Sequence, residues 1–508
     1  MSESNTQAPR YEKKNRSKTP VVVAIIAIVA LVAAVAVYFV LNREDGASGK
    51  TITVGLVLEP TSLDVRTNEG AATGQVLLDN VYQGLVGIKP GTITEIVPVL
   101  ATEMPTVASD GREYSFTVRE GVKFHSGATL TADDVVESLR TTLVPGVVGF
   151  QATVEKSGEH GVKIGIEQPN SLLIWYLANT PGIVLEKGAT NDIKNSANGT
   201  GPFRFSNWKQ GDNLTFVKNP DYWGDEAQVD RVVFRFFKNG RTAANALKDG
   251  DTDVQTALVP QFRAEFENDS KFTLERAESS DVFTLAYNSA KAPFNDPRVR
   301  TALSIAIDGA AIVAAWNGDG KPLGGPITSL EPGYADLTSV NPYDPDRARA
   351  LLAEAGQQNL SLTITVPNIY DTASLDLISS QLAAVGVSAK LNTVEFGTWL
   401  TDVYVNHDFD LSFVDHVEAR DFGNYANPGY YFGYSNAEVQ KLFADALATL
   451  NPAEEEALLK QAAELVAVDA PAKWLFNYTP TNVVSTKVSG FPTANTNSRI
   501  NLVGVSVE

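Results

Sequence analysis

The chain has 508 residues, of which 44% are hydrophobic and 20% are charged, a composition typical of soluble globular proteins. It excludes a disordered chain and a protein with many membrane spans, and the length predicts at least two lobes. The formal net charge of −19 disfavours nucleic acid and anionic lipid as partners. The sequence has no cysteine, which rules out disulfides, cysteine nucleophiles and a lipid-modified cysteine.

The N-terminal segment predicts one membrane anchor. Residues 21–41 are apolar except for Tyr38, and a run of this length can cross a hydrocarbon core as a helix. The basic residues close before it are Arg10, Lys13, Lys14, Arg16 and Lys18, whereas only Arg43 closely follows it. This bias keeps residues 1–20 in the cytoplasm and places the rest of the chain outside.

A cleaved signal peptide is the alternative to this anchor. Ala34-Val35-Ala36 resembles a cleavage site with small residues at both ends, as signal peptides have. We favour an uncleaved anchor because the apolar run is longer than a usual signal core and contains that site. Residues 42–50 are then expected to be a short linker, rich in Gly, Ser and charge, which holds the fold close to the membrane.

In chain order, the first half of the chain beyond the linker is predicted to consist mainly of strands. Alternating or continuous apolar positions predict strands at 52–58, 114–118, 214–217, 232–237 and 282–287. Helices are expected at about 72–82 and at 242–248, where Gly250 ends the second of them. A further helix is expected to begin at a capping box formed by Thr131 and Asp134.

The second half of the chain is predicted to be an α/β region. Asp296-Pro297 and Asp344-Pro345 each open a helix. The pattern then predicts a strand, helix, strand unit with parallel strands at 360–366 and 387–391. Two helices follow at 435–450 and 451–468, and a strand-like tail begins at 481. Because the tail is too short to fold alone, we expect it to return to the first lobe.

Residues that could carry catalysis or hold a cofactor are not arranged as known motifs. The four histidines are His125, His160, His407 and His416, and none is paired at the spacing of a helical zinc site. Neither a G-x-S-x-G elbow nor a complete phosphate-binding loop occurs. The sequence therefore predicts neither an enzyme nor a protein with a cofactor.

Several motifs occur in a fixed order along almost the whole chain outside the predicted anchor. They are EPTSLD at 59–64, NVYQGLV at 80–86, YSFTVREGVKFHSG at 114–127, LTADDV at 130–135, GTGPF at 199–203, NPDYWG at 219–224 and PFNDPRVR at 293–300. In this order they resemble the extracellular solute-binding proteins of the peptide and nickel ABC importer class, family 5, which includes dipeptide- and oligopeptide-binding proteins.

The resemblance implies an α/β, two-lobed, hinged periplasmic-binding-protein-like fold of the large peptide-binding type, after one N-terminal transmembrane helix. Lobe I is expected at 51–285, with 481–508 returning to it, and lobe II at 286–480. Closure of the lobes around a solute is a hinge motion. The expected partners are a short peptide or other small solute, ABC permease subunits and, through them, the ATPase subunits. The protein is expected to be a monomer in the cell membrane, its bulk extracellular or periplasmic.

The resemblance also directs attention to the loop after the predicted strand 409–414. The polar residues of this loop are Asp415, His416, Glu418, Arg420 and Asp421. In peptide-binding relatives an acidic residue of the corresponding loop pairs with the terminal ammonium of the peptide, a role open here to Asp415 or Asp421. The usual tryptophan and Asp-Pro step are replaced in this chain. A self-contained knot of salt bridges is the alternative interpretation of the loop.

Further candidate ligand-binding residues are Trp399, Tyr431 and Tyr434 from lobe II, with Glu59 and Tyr82 from lobe I. We expect Gly199 and Gly201 to form a tight loop that needs positive φ, and no residue is assigned to a metal. Alternative ligands are haem, a chelated metal or a glycan, and alternative roles are a tethered sensor or adhesin without transport, or an extracellular hydrolase.

Overall fold

The computed structural model describes residues 49–66, 71–370 and 373–508. The predicted cytoplasmic tail and anchor, and most of the predicted linker, lie outside these residues. Within the described part of the chain, no helix combines the length and the apolar character needed to cross a bilayer.

The first large sheet has seven strands and is built from both ends of the described chain. Its central strand Thr51–Leu56 runs parallel to both of its neighbours. The strands in spatial order are Phe272–Arg276, Thr481–Ser485, Val254–Gln255, Thr51–Leu56, Arg231–Phe236, Asn213–Lys218 and Phe203–Lys209. The C-terminal strand at 481–485 thus lies inside the sheet that contains the first strand.

The second large sheet has six strands and forms from the middle of the chain. Ser361–Pro367 and Ser388–Val394 pair in parallel, which confirms the strand, helix, strand unit. The strands in spatial order are Gly320–Pro322, Ala472–Tyr478, Val282–Tyr287, Leu411–His416, Ser361–Pro367 and Ser388–Val394. Apolar clusters cover both faces of this sheet, so its central strands are buried.

The remaining strands of the described residues form three smaller sheets. A four-stranded antiparallel sheet contains Thr106–Val107, Glu113–Thr117, Gly161–Ile166 and Ala152–Ser157 in that spatial order, and it has its own apolar core. Two-stranded pairs join Val86–Ile88 to Ile96–Pro98 and Val488–Ser489 to Ser506–Val507.

Helices surround the sheets, and three of them begin at the capping signals named above, whereas the helices predicted at 242 and 435 begin at Gly240 and Ala437. Thr131 and Asp134 form the capping box, and the Asp296 and Asp344 carboxylates accept backbone N–H groups at the starts of their helices. The α-helices are Ala71–Leu77, Ala132–Thr142, Pro145–Val148, Leu173–Leu177, Gly240–Asp249, Pro297–Ile305, Gly309–Ala315, Pro345–Glu354, Ala373–Ala384, Phe396–Trp399, Gly423–Ala426, Ala437–Ala448 and Pro452–Asp469, with 3-10 turns at Thr180–Gly182 and Pro260–Glu265 and a π-helix at Leu400–Val405.

Two neighbouring segments, 277–281 and 479–480, connect the large sheets. The Tyr478 N–H donates to the Asp281 carbonyl at 2.8 Å, and the Ala277 N–H donates to the Pro480 carbonyl at 2.9 Å. The Asn477 side chain donates to the carbonyls of Ser279 and Asp281. The chain therefore passes between the sheets through paired segments, an arrangement suited to a hinge. The exact lobe boundaries stay a prediction.

The GTGPF loop is tight for a different reason from the one expected. Neither Gly199 nor Gly201 has a positive φ. A Cβ atom at Gly199 would overlap the Val81 backbone oxygen, and one at Gly201 would crowd the Asn80 carbonyl. The glycines are required because two backbones approach closely, and the expectation of positive φ was wrong.

Candidate ligand-binding cavity

A cavity of about 290 Å³ lies between the two large sheets, near the lower end of the usual size of small-molecule sites. Its walls come from residues on the sides of both large sheets. From the first-sheet side they include Val57, Leu58, Gln75, Phe237, Lys238, Gln255, Thr256, Ala257, Leu258, Val259 and Pro260. From the second-sheet side they include Phe283, Trp316, Tyr370, Phe396, Trp399, Leu400, Tyr404, Val414, Asp415, His416, Val417, Glu418, Asp421, Asn424, Tyr430 and Tyr478.

The strand Leu411–His416 delivers the polar part of this wall. Its first four residues are buried apolar or small polar side chains, and the chain leaves the core at Asp415. One edge pairs with Val282–Tyr287 along its whole length, whereas the other pairs with Ser361–Pro367 only as far as Ser412. Beyond Ser412 that second edge faces no strand of the described residues, and it lies beside the cavity.

Asp415 carries a carboxylate that the protein leaves incompletely satisfied. Its backbone N–H donates to the Tyr370 hydroxyl at 3.1 Å, but its buried Oδ1 atom accepts no hydrogen bond within the described chain. Burial, and then the charge of Asp281, hold the pKa of Asp415 well above its ordinary value. Such an unpaired buried carboxyl oxygen is costly, and this makes Asp415 a candidate for a functional role.

Asp281 stands directly behind Asp415 and was not found from the sequence. It belongs to the connecting segment 277–281 and is fully buried. Its Oδ2 atom accepts from the Asn497 amide at 2.7 Å, and its Oδ1 atom has no hydrogen-bond partner among the described residues. Burial raises its pKa to about 7. Two carboxyl groups that influence each other in this way titrate as a pair.

Two further acidic residues of the predicted loop follow Asp415 in the chain, and the first of them, Glu418, is exposed. Glu418 and Asp421 both line the cavity. Burial raises the pKa of Asp421, and the charges of Glu331 and Glu418 raise it further. The Asn424 amide donates to Asp421 at 3.2 Å, which offsets only part of this effect.

The fourth predicted loop residue that lines the cavity, His416, is held among tyrosines. Its ring stacks on Tyr431 with the centroids 6.0 Å apart. Nε2 lies 3.1 Å from the Tyr431 hydroxyl and Nδ1 lies 3.4 Å from the Tyr430 hydroxyl. Burial lowers the pKa of His416 to about 4, so the imidazole is neutral near neutral pH.

Trp399 also lines the cavity, but Tyr431 and Tyr434 do not. The Trp399 indole N–H donates to the Ser412 hydroxyl at 2.9 Å. Tyr431 is packed behind His416 in the core. The Tyr434 hydroxyl donates to Asp469 at 2.6 Å. Tyr431 and Tyr434 therefore contact other side chains of the protein and do not line the cavity.

The lobe I candidates lie outside the cavity wall. Glu59 accepts hydrogen bonds from the Trp208 indole and the Gly211 N–H, so its charge is used within the first lobe. Tyr82 is buried in the core beneath the first sheet. From that side, the cavity is lined instead by the 255–260 segment and by Gln75.

Arg420 lies away from the cavity, and the loop is not a knot of salt bridges. The Arg420 N–H donates to Glu331, and its guanidinium lies 5.7 Å from the centroid of the Trp175 ring. Within the described chain, Asp415, Glu418 and Asp421 form no ion pair. Nor does any group of three or more His, Asp or Glu side chains there converge as a metal site would require.

The sequence carried little signal for several cavity residues. Phe283 lies in the predicted strand 282–287, whereas Trp316, Tyr370 and Tyr478 lie in none of the motifs or strands predicted from the sequence. They meet because strand pairing brings Phe283 opposite both Asp415 and Phe476. The ring centroids of Phe283 and Tyr370 are 5.2 Å apart, and those of Phe283 and Tyr478 are 5.3 Å apart.

Comparison with known proteins identifies the family of this chain. Residues 95–441 match the profile of the bacterial extracellular solute-binding proteins, family 5 middle. The chain is 27% identical to Di/tripeptide-binding protein 2 of Pseudomonas aeruginosa over 69% of this chain and 73% of the relative. It is also 27% identical to Heme-binding protein A of Haemophilus influenzae over 82% of this chain and 83% of that relative.

The fold of the chain is also similar to that of solved structures. The periplasmic binding protein DppA of Helicobacter pylori, solved in complex with peptide STSA, superposes with a TM-score of 0.82 at 23% identity, covering 90% of this chain and 98% of that chain. This likeness supports the mixed α/β, two-lobed periplasmic-binding-protein fold. The resemblance in sequence is confirmed: the chain belongs to the bacterial extracellular solute-binding proteins of family 5.

Proposed function

We propose that this chain is the extracellular substrate-binding component of an ABC importer, and that it captures short peptides in the cavity and presents them to the permease. The observation that carries the proposal is the unpaired Asp415 carboxylate in the wall of a cavity between the two hinged sheets. A peptide amino terminus supplies the positive charge and the hydrogen-bond donors that this carboxylate lacks.

The unpaired strand edge next to Asp415 supports an extended ligand. Residues 413–416 have a strand partner on one side only within the described chain; the Asp415 N–H there donates to the Tyr370 hydroxyl, and residues 255–260 also line the cavity. An extended peptide can add its main-chain groups to such an edge. The neighbouring aromatic side chains, Tyr404 and Tyr430 among them, would then accommodate side chains of varied size.

The transport role follows from the hinge. A ligand that contacts both walls binds the closed state more tightly than the open state, and this difference in affinity sets the closed population. The permease is proposed to recognise that closed form. The protein is proposed to act as a monomer and to perform no chemistry on its ligand.

The experiment is thermal unfolding of the full-length chain with di- to hexapeptides, haem, nickel chelates and oligosaccharides. A ligand present at about a hundredfold its dissociation constant should add about 2.7 kcal/mol to the free energy of unfolding. We expect only peptides to raise the unfolding temperature, and the peptide to be recovered intact. A shift with haem, a chelate or a glycan alone would replace the peptide in the proposal, and cleavage of the peptide would make the protein a hydrolase.

We also propose that residues 21–41 tether the protein to the cell membrane, with the N-terminus cytoplasmic and the bulk extracellular or periplasmic. The support is the apolar run and the basic residues before it. The full-length chain is expected to stay in the membrane fraction after an alkaline carbonate wash, and a chain without residues 1–43 to be released. Recovery of a shortened, soluble chain from cells that express the full length would instead establish cleavage.

A further inference from the structure

The first-sheet side of the cavity contains a buried glutamine, Gln255. It ends a short strand that pairs with the central strand of the first sheet, with Gly55 directly beside it. Val54 and Leu56 turn into the core of that sheet, so Gly55 between them faces the opposite side. That side borders the cavity, because Gln255 and Phe237 both lie next to Gly55 and both line the cavity.

The side-chain amide of Gln255 is held in one orientation. Its Nε2 atom donates to the Thr256 carbonyl at 2.9 Å. A carbonyl oxygen can only accept, so the nitrogen of the amide must be the atom that faces it. The oxygen atom Oε1 then lies over Gly55, where a Cβ atom would overlap it. The missing side chain of Gly55 therefore gives Oε1 the space that it occupies.

The Oε1 atom of Gln255 has no donor within the described chain. Gln255 is 2% exposed, and Oε1 is buried without a hydrogen-bond partner. Buried polar atoms of native proteins are normally hydrogen-bonded, and an acceptor left without a donor costs free energy. Because Gln255 lines the cavity, a bound ligand can supply the missing donor.

The backbone donors that follow Gln255 are already used. Their N–H groups bond within the chain, that of Thr256 to the Gly55 carbonyl, that of Ala257 to Asn482 Oδ1 and that of Leu258 to the Thr481 carbonyl. This segment thus presents an unused acceptor to the ligand and no unused N–H group at 256–258. Asp415, on the second-sheet side, also has an unused acceptor atom. The two sides of the cavity therefore both require a ligand that donates hydrogen bonds.

We infer that Gln255 anchors the ligand on the first-sheet side, and that its Oε1 atom accepts a hydrogen bond from a main-chain N–H group of the bound peptide. This inference rests on the proposed function, in which Asp415 holds the terminal ammonium of the same peptide. A peptide bound in this way joins the two sides of the cavity, so Gln255 adds to the difference in affinity between the closed and open states. The ligand needs an N–H group at one defined main-chain position.

The test is titration calorimetry of the full-length chain with Ala-Ala-Ala and its two ester analogues, in each of which oxygen replaces one peptide N–H group. An ester keeps the size of the peptide and removes one donor. One analogue is expected to bind the wild-type chain at least about tenfold more weakly than Ala-Ala-Ala. In Gln255→Met, which keeps the side-chain length without the amide oxygen, this ester penalty should fall below about threefold.

Gln228→Met is the matched control for this variant. Gln228 is exposed, and its amide also donates to a nearby backbone carbonyl, that of Glu226, at 2.9 Å. It does not line the cavity. The control variant should keep both the wild-type affinity for Ala-Ala-Ala and the wild-type ester penalty.

Each outcome separates the inference from the proposed function. Equal affinity of the wild-type chain for all three compounds would overturn the role of Gln255 and leave the peptide receptor intact, and this comparison requires no variant to fold. An ester penalty that persists in Gln255→Met would place the N–H contact at another acceptor and also overturn the inference. Failure of the wild-type chain to bind Ala-Ala-Ala would overturn both.

Discussion

Replacement of Asp415 by asparagine is expected to weaken the binding of short peptides between about thirtyfold and a few thousandfold. Asparagine keeps the size of the side chain but cannot carry the charge that the terminal ammonium of the peptide meets in the cavity. Loss of one partner of a buried charge pair costs about 2 to 5 kcal/mol of binding free energy, and about 1.4 kcal/mol corresponds to a factor of ten. Titration calorimetry with the tightest tripeptide measures the change.

Two controls separate lost binding from lost folding in this variant. Asp249→Asn removes an exposed carboxylate at the end of the Gly240–Asp249 helix and should leave the peptide affinity unchanged. Without ligand, Asp415→Asn should unfold at the wild-type temperature or above, because it removes a carboxyl group that burial and Asp281 already disfavour as an anion. Peptide affinity of Asp415→Asn within about threefold of wild type would contradict the assigned role.

Replacement of Asp281 by asparagine is expected to stabilise the ligand-free protein, and to do so increasingly as the pH rises. Burial raises the pKa of Asp281 from 3.8 in the unfolded chain to about 7 in the folded protein. The folded state therefore binds the proton more tightly, and wild-type stability falls as pH rises from the unfolded pKa to the folded pKa. Asparagine cannot ionise, so the variant avoids this loss.

The expected size follows from the same linkage. Each pH unit between the two pKa values changes the free energy of unfolding by about 1.4 kcal/mol. The advantage of Asp281→Asn over wild type should thus grow by about 2 to 3 kcal/mol between about pH 5 and pH 8. Urea unfolding followed by tryptophan fluorescence measures it, with the variant of the exposed Asp249, Asp249→Asn, as the control. A difference between Asp281→Asn and wild type that stays constant across this range would show that Asp281 does not titrate as described.

Helix starts were predictable because each is set by a few adjacent residues. The Thr131 and Asp134 capping box and the Asp-Pro steps at 296 and 344 form the bonds expected of them. The first helix was predicted too long, since it ends at Leu77 instead of near 82. From that point the chain turns, and its backbone carbonyls at Asn80 and Val81 meet the GTGPF loop. A tertiary contact overrode the local pattern.

Short polar strands were not predicted at all. The hairpin of Ala152–Ser157 and Gly161–Ile166 contains many charged or small residues, so its alternation is weak. It forms because its few apolar side chains complete the core of the four-stranded sheet.

The strand Ala472–Tyr478 was not predicted either, because it directly follows a long helix. It forms because it pairs between Val282–Tyr287 and Gly320–Pro322.

The sequence alone was sufficient to identify the family, the α/β class, three helix starts and the acidic residues Asp415, Glu418 and Asp421. These features depend on neighbouring residues and on motifs in a fixed order. The three-dimensional fold was needed to show that Asp281 lies close to Asp415, and that Glu59 and Tyr82 are used elsewhere. Asp281 and Asp415 are far apart in the chain, and strand pairing across the second sheet brings them together. The proximity of these two carboxyl groups depends on that pairing, which no local pattern contains.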